Sequence, residues 1–284
     1  VDMRMPVKNL LGLVLIIGMA TAASAADTSN ARFAALQGNP GLHSASAIVL
    51  DSQGNQIYAK DVDTVRPIAS ITKLMTAMVV LDAALDLDEP ITIAEDDRDR
   101  IRMTGSRLGV GATLTRRELL LLALMSSENR AATALGRTYP GGMTHFIAQM
   151  NAKAASLGMQ SSRFADPAGL NVANVSTASD LARMLHAAHG YPLITAATTT
   201  PDREVRPYPQ GGPMRYVNTN RLLKSPDWHI ELSKTGYINE AGRCLVMQAR
   251  IGGEAISIVL LNSFGKLTPF GDSNRLRKWM MASS

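Results

Sequence analysis

The chain has 284 residues, of which 46% are apolar and 19% charged, with a formal net charge of +5. This is enough apolar material for one large domain or two interleaved subdomains, and it excludes wholesale disorder. The five histidines form no H-E-x-x-H pattern and the basic residues do not cluster with aromatics, so metal-peptidase and nucleic-acid motifs are absent and no metal or cofactor is called for.

Arg4 and Lys8 precede the uncharged apolar run Leu10–Ala20, and Ala23-Ser24-Ala25 follows as a small-x-small cleavage site. Residues 1–25 therefore read as a secretory signal peptide rather than an uncleaved anchor or buried helix. The run is shorter than the roughly 20 apolar residues that a bilayer span takes. Residues 26–42 read as a flexible entry segment, and 43–284 as the folded domain. Cys244 is the lone cysteine, so no intramolecular disulfide can form. With an export signal this fits a bacterial periplasm, and the run Cys244–Met247 makes a buried strand thiol the ordinary reading.

Along the folded part, Ser46–Leu50 and Gln56–Lys60 flank a Gly/Asn turn and predict a β-hairpin. Ile71, Leu74, Met75, Met78 and Val79 follow helical spacing, and the stripe stops at Asp82. Thr115-x-x-Glu118 is a capping box for the run Leu119–Met125. Asn129–Gly136 and Met143–Leu157 predict further helices, the second stopped by Gly158. Thr177-x-x-Asp180 opens another, which Gly190 ends. Pro- and Gly-rich turns fill 201–213. Ile230–Thr235, Leu245–Ile251 and Ala255–Asn262 read as strands, with Gly252-Gly253 as a tight turn. Ser273–Met281 is a closing helix. Strands at both ends with helices between predict an α/β chain of the α+β type. Its antiparallel sheet is flanked by helices and interrupted by an all-helical subdomain at about 84–200.

Three short patterns carry chemistry. Ser70-Ile-Thr-Lys73 opens the first helix, so Ser70 and Lys73 share one face within hydrogen-bond reach. The helix start favours an oxyanion there. Lys73 is a base once desolvation and a second cation, Lys234, lower its pKa. Taken alone, Ser70 is equally a plain N-cap. A second match, Ser263-Phe-Gly-Lys266, leaves a strand and lacks that helix context. Ser127-Glu128-Asn129 lies between two helices. It offers a hydroxyl to relay a proton and an amide to hold a substrate carbonyl, with Glu128 turned away, although Ser and Asn are also common caps. Lys234-Thr235-Gly236 ends a strand. Lys234 and the Thr235 hydroxyl can meet a carboxylate, and Gly236 leaves room for an extended substrate. The N–H of Tyr237 can pair with that of Ser70 around an oxyanion. A surface Lys-Thr-Gly turn is the commonplace alternative. None of the three is decisive alone; together and in this order they match the serine β-lactamase and penicillin-binding pattern.

The sequence resembles the low-molecular-mass penicillin-binding proteins, the D-alanyl-D-alanine carboxypeptidases and endopeptidases. The likeness is carried by Arg66-Pro-Ile-Ala-Ser-Ile-Thr-Lys, Leu124-Met-Ser-Ser-Glu-Asn-Arg-Ala-Ala, Asp166-Pro-Ala-Gly-Leu, Ser176-Thr-Ala-Ser-Asp-Leu-Ala and Lys234-Thr-Gly-Tyr with Gly-Arg-Cys-Leu-Val. The second and last of these are closest to the endopeptidase group. The resemblance implies a penicillin-binding/β-lactamase-like fold and a serine D,D-peptidase domain over 43–284. It implies Ser70 as nucleophile, Lys73 as base, Ser127 as proton relay, and substrate contacts from Asn129, Lys234 and Thr235. Peptidoglycan peptide stems are the implied substrates and β-lactams the acylating inhibitors. The net charge of +5 suits a carboxylate-rich polymer. The larger carboxypeptidases carry a second β-rich domain and an anchoring helix. This chain runs out soon after its last strand, so at most loose membrane association is expected. The rivals are a β-lactamase, for which Asp166 is a candidate deacylation base by position only, and a non-catalytic β-lactam sensor.

Overall fold

The computed structural model describes residues 1–2, 33 and 36–282. The signal-peptide reading of 1–25 lies outside the described residues apart from the first two, as does most of the entry segment.

Strand β1 (Ser46–Leu50) and β2 (Gln56–Lys60) form the expected hairpin. The Asp51 carboxylate closes it by accepting the backbone N–H groups of Gln53 and Asn55, each at 2.8 Å. A short β3 (Arg66–Pro67) and a 3-10 turn (Ala69–Ile71) lead into α1 (Thr72–Asp82). Then come β4 (Pro90–Thr92), β5 (Thr113–Thr115), α2 (Arg116–Met125), α3 (Asn129–Arg137) and α4 (Gly142–Ser156). They are followed by β6 (Val175–Ser176), α5 (Ala178–His189) and α6 (Pro192–Thr199). The predicted capping box opens α2: Thr115 Oγ1 accepts from Glu118 N at 3.2 Å, and Glu118 Oε2 accepts from Thr115 N at 2.9 Å. Residues 201–213, read as turns, instead contain most of a small hairpin, β7 (Asp202–Val205) with β8 (Met214–Val217). Strands β9 (His229–Ile238), β10 (Gly242–Ile251) and β11 (Glu254–Ser263) and helix α7 (Thr268–Ala282) complete the domain. Gly252 and Gly253 turn β10 into β11 with φ of 61° and 90°, the left-handed values a two-residue hairpin needs.

The main sheet has the order β2-β1-β11-β10-β9 and is antiparallel throughout. Alternation along its strands feeds two apolar layers. Leu245, Met247, Ile256, Ile258 and Leu260 pack with Leu276 and Met280 of α7. Val246, Val259 and Leu261 face the helical lobe and α1. The spacing predicts one apolar stripe on α1, yet every residue from Thr72 to Val80 is buried, because the helix runs between sheet and lobe.

The first and last elements are stitched together. Asp272 of α7 is fully buried and accepts from His43 N at 3.0 Å, Ser44 N at 2.7 Å and Ser44 Oγ at 2.6 Å. Ser44 Oγ in turn shares a 2.8 Å hydrogen bond with Ser263 Oγ. The second Ser-x-x-Lys serine is therefore a buried structural hydroxyl on the α7 side of the sheet.

Candidate active site

Ser70 sits in the 3-10 turn that feeds α1. Its predecessor Ala69 has φ of 48°, a conformation that costs a non-glycine residue of order 1–3 kcal/mol. Two glycines hold that turn from opposite sides. A Cβ on Gly169 would stand 1.9 Å from Ala69 O, and one on Gly236 would stand 2.9 Å from Ile68 O and 3.1 Å from Ser70 N. Gly236 thus lets the backbone of β9 lie directly against the amide of Ser70. Its neighbour Tyr237 is half-exposed beside Ser70 in the groove, its ring covered by the Arg243 guanidinium at 3.6 Å. Gly169→Ala is expected to push the Ser70 turn out of place and to slow acylation by a β-lactam about 10²-fold, the penalty of a displacement near 1 Å. Gly158→Ala, with nothing within 4 Å of its Cβ, is the strain-matched control. Stopped-flow acylation rates that are equal for both would show that the Gly169 contact yields freely.

Lys73 is fully buried, with Nζ 2.8 Å from Ser70 Oγ, 2.9 Å from Asn129 Oδ1 and 2.6 Å from Ala168 O. The last two atoms can only accept, so they take two N–H bonds. The third direction, toward Ser70, carries an N–H in the ammonium and the lone pair in the amine. Loss of one proton therefore aims a base at the serine hydroxyl. Burial pushes the Lys73 pKa down to about 8, against the opposing pull of the Asp166 and Glu128 carboxylates. The sequence assigns that depression partly to Lys234, but burial alone lowers it, and the repulsion between the two lysines bears on Lys234 instead. Lys234 is itself held well below the usual lysine range, by burial first and by the charge of Lys73 second.

Ser127 has φ of 60°, a second left-handed non-glycine residue at the site. Its Oγ accepts from Lys234 Nζ at 3.0 Å. Glu128, the middle residue, does the capping: it accepts from Arg130 N at the start of α3 and from Ser106 Oγ at 2.6 Å. That leaves Ser127 and Asn129 free of the helix-cap duty that their residue types suggest. Lys234-Thr235-Gly236 lies inside β9, which runs on to Ile238, rather than at its end. Lys234 is buried, and its amino group donates to Ser127 Oγ at 3.0 Å and to Thr235 O at 2.9 Å. Thr235 Oγ1 faces the groove and is paired at 2.6 Å with Thr219 Oγ1, a residue that sequence reasoning missed.

Two clefts meet at Ser70, Asn129 and Tyr237. One, of about 400 Å³, runs past Ser127, Thr219 and Thr235 toward Arg243 and Lys266. The other, of about 370 Å³, runs past Arg102, Gly169 and Leu170 toward Ile238 and Asn239. Together they form a groove along the outer edge of β9 with Ser70 at its middle. Asp166 lies behind its wall as the turn-former its sequence context suggests. Its Oδ1 accepts from Ala168 N and Gly169 N at 2.6 and 2.7 Å, and its Oδ2 from Asn171 N and Asn174 Nδ2, each at 2.6 Å. These bonds position the Ala168 carbonyl that Lys73 uses, and they leave the carboxylate little capacity to orient a water.

A serine hydroxyl against a buried amine, beside a second hydroxyl and an exposed strand edge, is the equipment of a serine acyl-transfer enzyme. A family model described as D-alanyl-D-alanine carboxypeptidase, Peptidase S11, matches residues 33–265, and the chain belongs to that family. It is 47% identical to a D-alanyl-D-alanine endopeptidase of Pseudomonas aeruginosa, over 98% of this chain and 89% of that one. It is 44% identical to a D-alanyl-D-alanine endopeptidase of Escherichia coli, over 96% and 87%. The crystal structure of the Streptomyces K15 DD-transpeptidase superposes with a TM-score of 0.80 at 29% identity, covering 87% of this chain and all of that one. The fold is thus the penicillin-binding DD-transpeptidase fold expected from the sequence.

Proposed function

We propose that the protein is a serine D-alanyl-D-alanine endopeptidase, with carboxypeptidase capacity, that cuts D-Ala–D-X bonds of peptidoglycan, including D-Ala–diaminopimelate cross-links. The observation that carries this is the 2.8 Å approach of the buried Lys73 amine to Ser70 Oγ at the middle of the groove along β9. The substrate lies along β9 with its leaving-group carboxylate near the Thr235 hydroxyl, and the acyl part on the Asn239 side. Lys73 takes the Ser70 proton as Oγ adds to the D-Ala carbonyl, and the oxyanion is held by the N–H groups of Ser70 and Tyr237. Asn129 holds the donor amide. Collapse breaks the C–N bond, and the departing amine collects a proton through Ser127, which Lys234 orients. Water then hydrolyses the Ser70 ester. Among the described residues, no helix is long and apolar enough to cross a membrane. With the N-terminal export signal, a periplasmic enzyme fits best.

Mass spectrometry of cross-linked muropeptides after incubation with purified protein tests the reading. Monomeric products are expected, and intact dimers would sink it. The saturated Asp166 carboxylate also favours a peptidase over a β-lactamase. Penicillin is expected to leave an adduct lasting far longer than a peptide turnover, since each 1.4 kcal/mol of missing transition-state stabilisation costs about tenfold in rate. An adduct cleared in about a second, with no cross-link cut, would favour the β-lactamase reading instead.

A further inference from the structure

The Asn239 half of the groove ends in a charge pair that the chemistry above does not use. Arg102 Nη2 lies 2.9 Å from Glu240 Oε2, and Arg102 Nε donates to Leu170 O at 2.6 Å. Arg102 belongs to the loop between β4 and β5 and lines the groove with Ser70, whereas Glu240 sits on the turn between β9 and β10. The pair therefore bridges the two walls of the groove. The Arg102 side chain is 20% exposed and that of Glu240 47%.

Arg102 is held in place rather than left to wander. Asp99 accepts the N–H groups of Ile101 and Arg102, each at 2.9 Å, and the Thr104 hydroxyl at 2.6 Å. Thr104 Oγ1 then accepts from Asn129 Nδ2 at 3.1 Å, tying this arm to the amide beside Lys73.

We propose that Arg102 and Glu240 form a subsite for the far end of the acyl donor's diamino-acid side chain, where an ammonium and a carboxylate share one carbon. The inference rests on the peptidase reading above, because that reading places the donor's penultimate residue in this half of the groove. Arg102 takes the carboxylate through its planar fork of donors, and Glu240 takes the ammonium. In the free protein the two side chains satisfy one another. An ion pair this exposed is weak, so opening it for a zwitterion exchanges one pair for two at little cost. A donor side chain with a lone ammonium, or a lone carboxylate, replaces only one partner and strands the other.

Three X–D-Ala–D-Ala donors test this, with X as diaminopimelate (both charges), lysine (ammonium only) or 2-aminopimelate (carboxylate only). The expected kcat/KM for the diaminopimelate donor exceeds each of the others by about tenfold in the unaltered protein. Arg102→Gln is expected to erase the discrimination against lysine, and Glu240→Gln that against aminopimelate. Penicillin labelling confirms that each variant holds a folded site. Unaltered protein that cleaves all three donors at equal rates overturns the subsite, as do variants that slow all three equally, since the pair would then be a strap between the walls. Unaltered protein that is labelled by penicillin at Ser70 yet cleaves neither these donors nor a cross-linked muropeptide sinks the peptidase reading, and this subsite with it.

Discussion

Ser70→Ala is expected to take up no penicillin, while Ser263→Ala is labelled stoichiometrically. Both serines open a Ser-x-x-Lys match, but their surroundings differ in kind. Ser70 Oγ sits in the groove against Lys73 Nζ, whereas Ser263 is buried and bonded to Ser44 Oγ at 2.8 Å, beside the Asp272 carboxylate. A hydroxyl bonded in that way lacks both a base and an approach path. Removing it weakens the stitch between the ends of the domain by roughly the 0.5–1.5 kcal/mol of one hydrogen bond and leaves the groove untouched. Intact-mass spectrometry reads both outcomes. An adduct on Ser70→Ala would overturn the assignment of the nucleophile.

The second large effect belongs to Lys73. Lys73→Met keeps the volume of the buried side chain and removes its amine, so acylation is expected to fall about 10²- to 10⁴-fold, the usual worth of a general base. In the unaltered protein, the same amine sets a pH dependence whose sign follows from its environment. Burial lowers the pKa to about 8, and the neutral form is the base. Acylation is therefore full above that value and falls about tenfold per unit as pH drops below it, because each unit removes that factor of neutral amine. A pH–rate profile of β-lactam acylation measures this. A rate that is flat from about pH 6 to pH 9 would mean that Lys73 does not act through its neutral form.

How much of this was legible in the sequence depends on the range of the interactions involved. The β1–β2 hairpin, the Thr115–Glu118 box and the Gly252-Gly253 turn were readable to within a residue or two, since each is settled by neighbours a few positions apart. The three motifs fell on the expected kinds of element. What could not be read were features set by distant approach. Gly236 looks like a strand terminator, but it sits mid-strand, and it is a glycine because Ser70 N and Ile68 O leave no room for a Cβ. The helix-cap duty that Ser127 or Asn129 could equally have taken falls to Glu128. The β7–β8 hairpin has strands too polar to alternate, with Asp202, Arg203 and Glu204 all exposed. The burial of Lys234 and its bond to Ser127 could not be read either, because only the packing of β9 against the lobe sets them. Thr219, Arg102 and Glu240 carry no local signal, and each gains its place from a partner on another element.

The stitching of the first strand to the last helix also bears on how the enzyme comes into being. The bonds from His43 and Ser44 to Asp272 span 229 and 228 positions, and β1 has its second neighbour only when β11 exists. Contacts of such long sequence separation form slowly and late. Ser70, Lys73 and Ser127 all lie in the first half of the chain, but the backbone of Gly236 and Tyr237 and the amine of Lys234 arrive with β9. A chain that gains order from its N-terminal end thus carries its nucleophile without the strand that binds substrate, or the second lysine that orients Ser127. The complete site therefore depends on closure of the sheet, because Gly236, Tyr237 and Lys234 reach Ser70 and Ser127 only through β9.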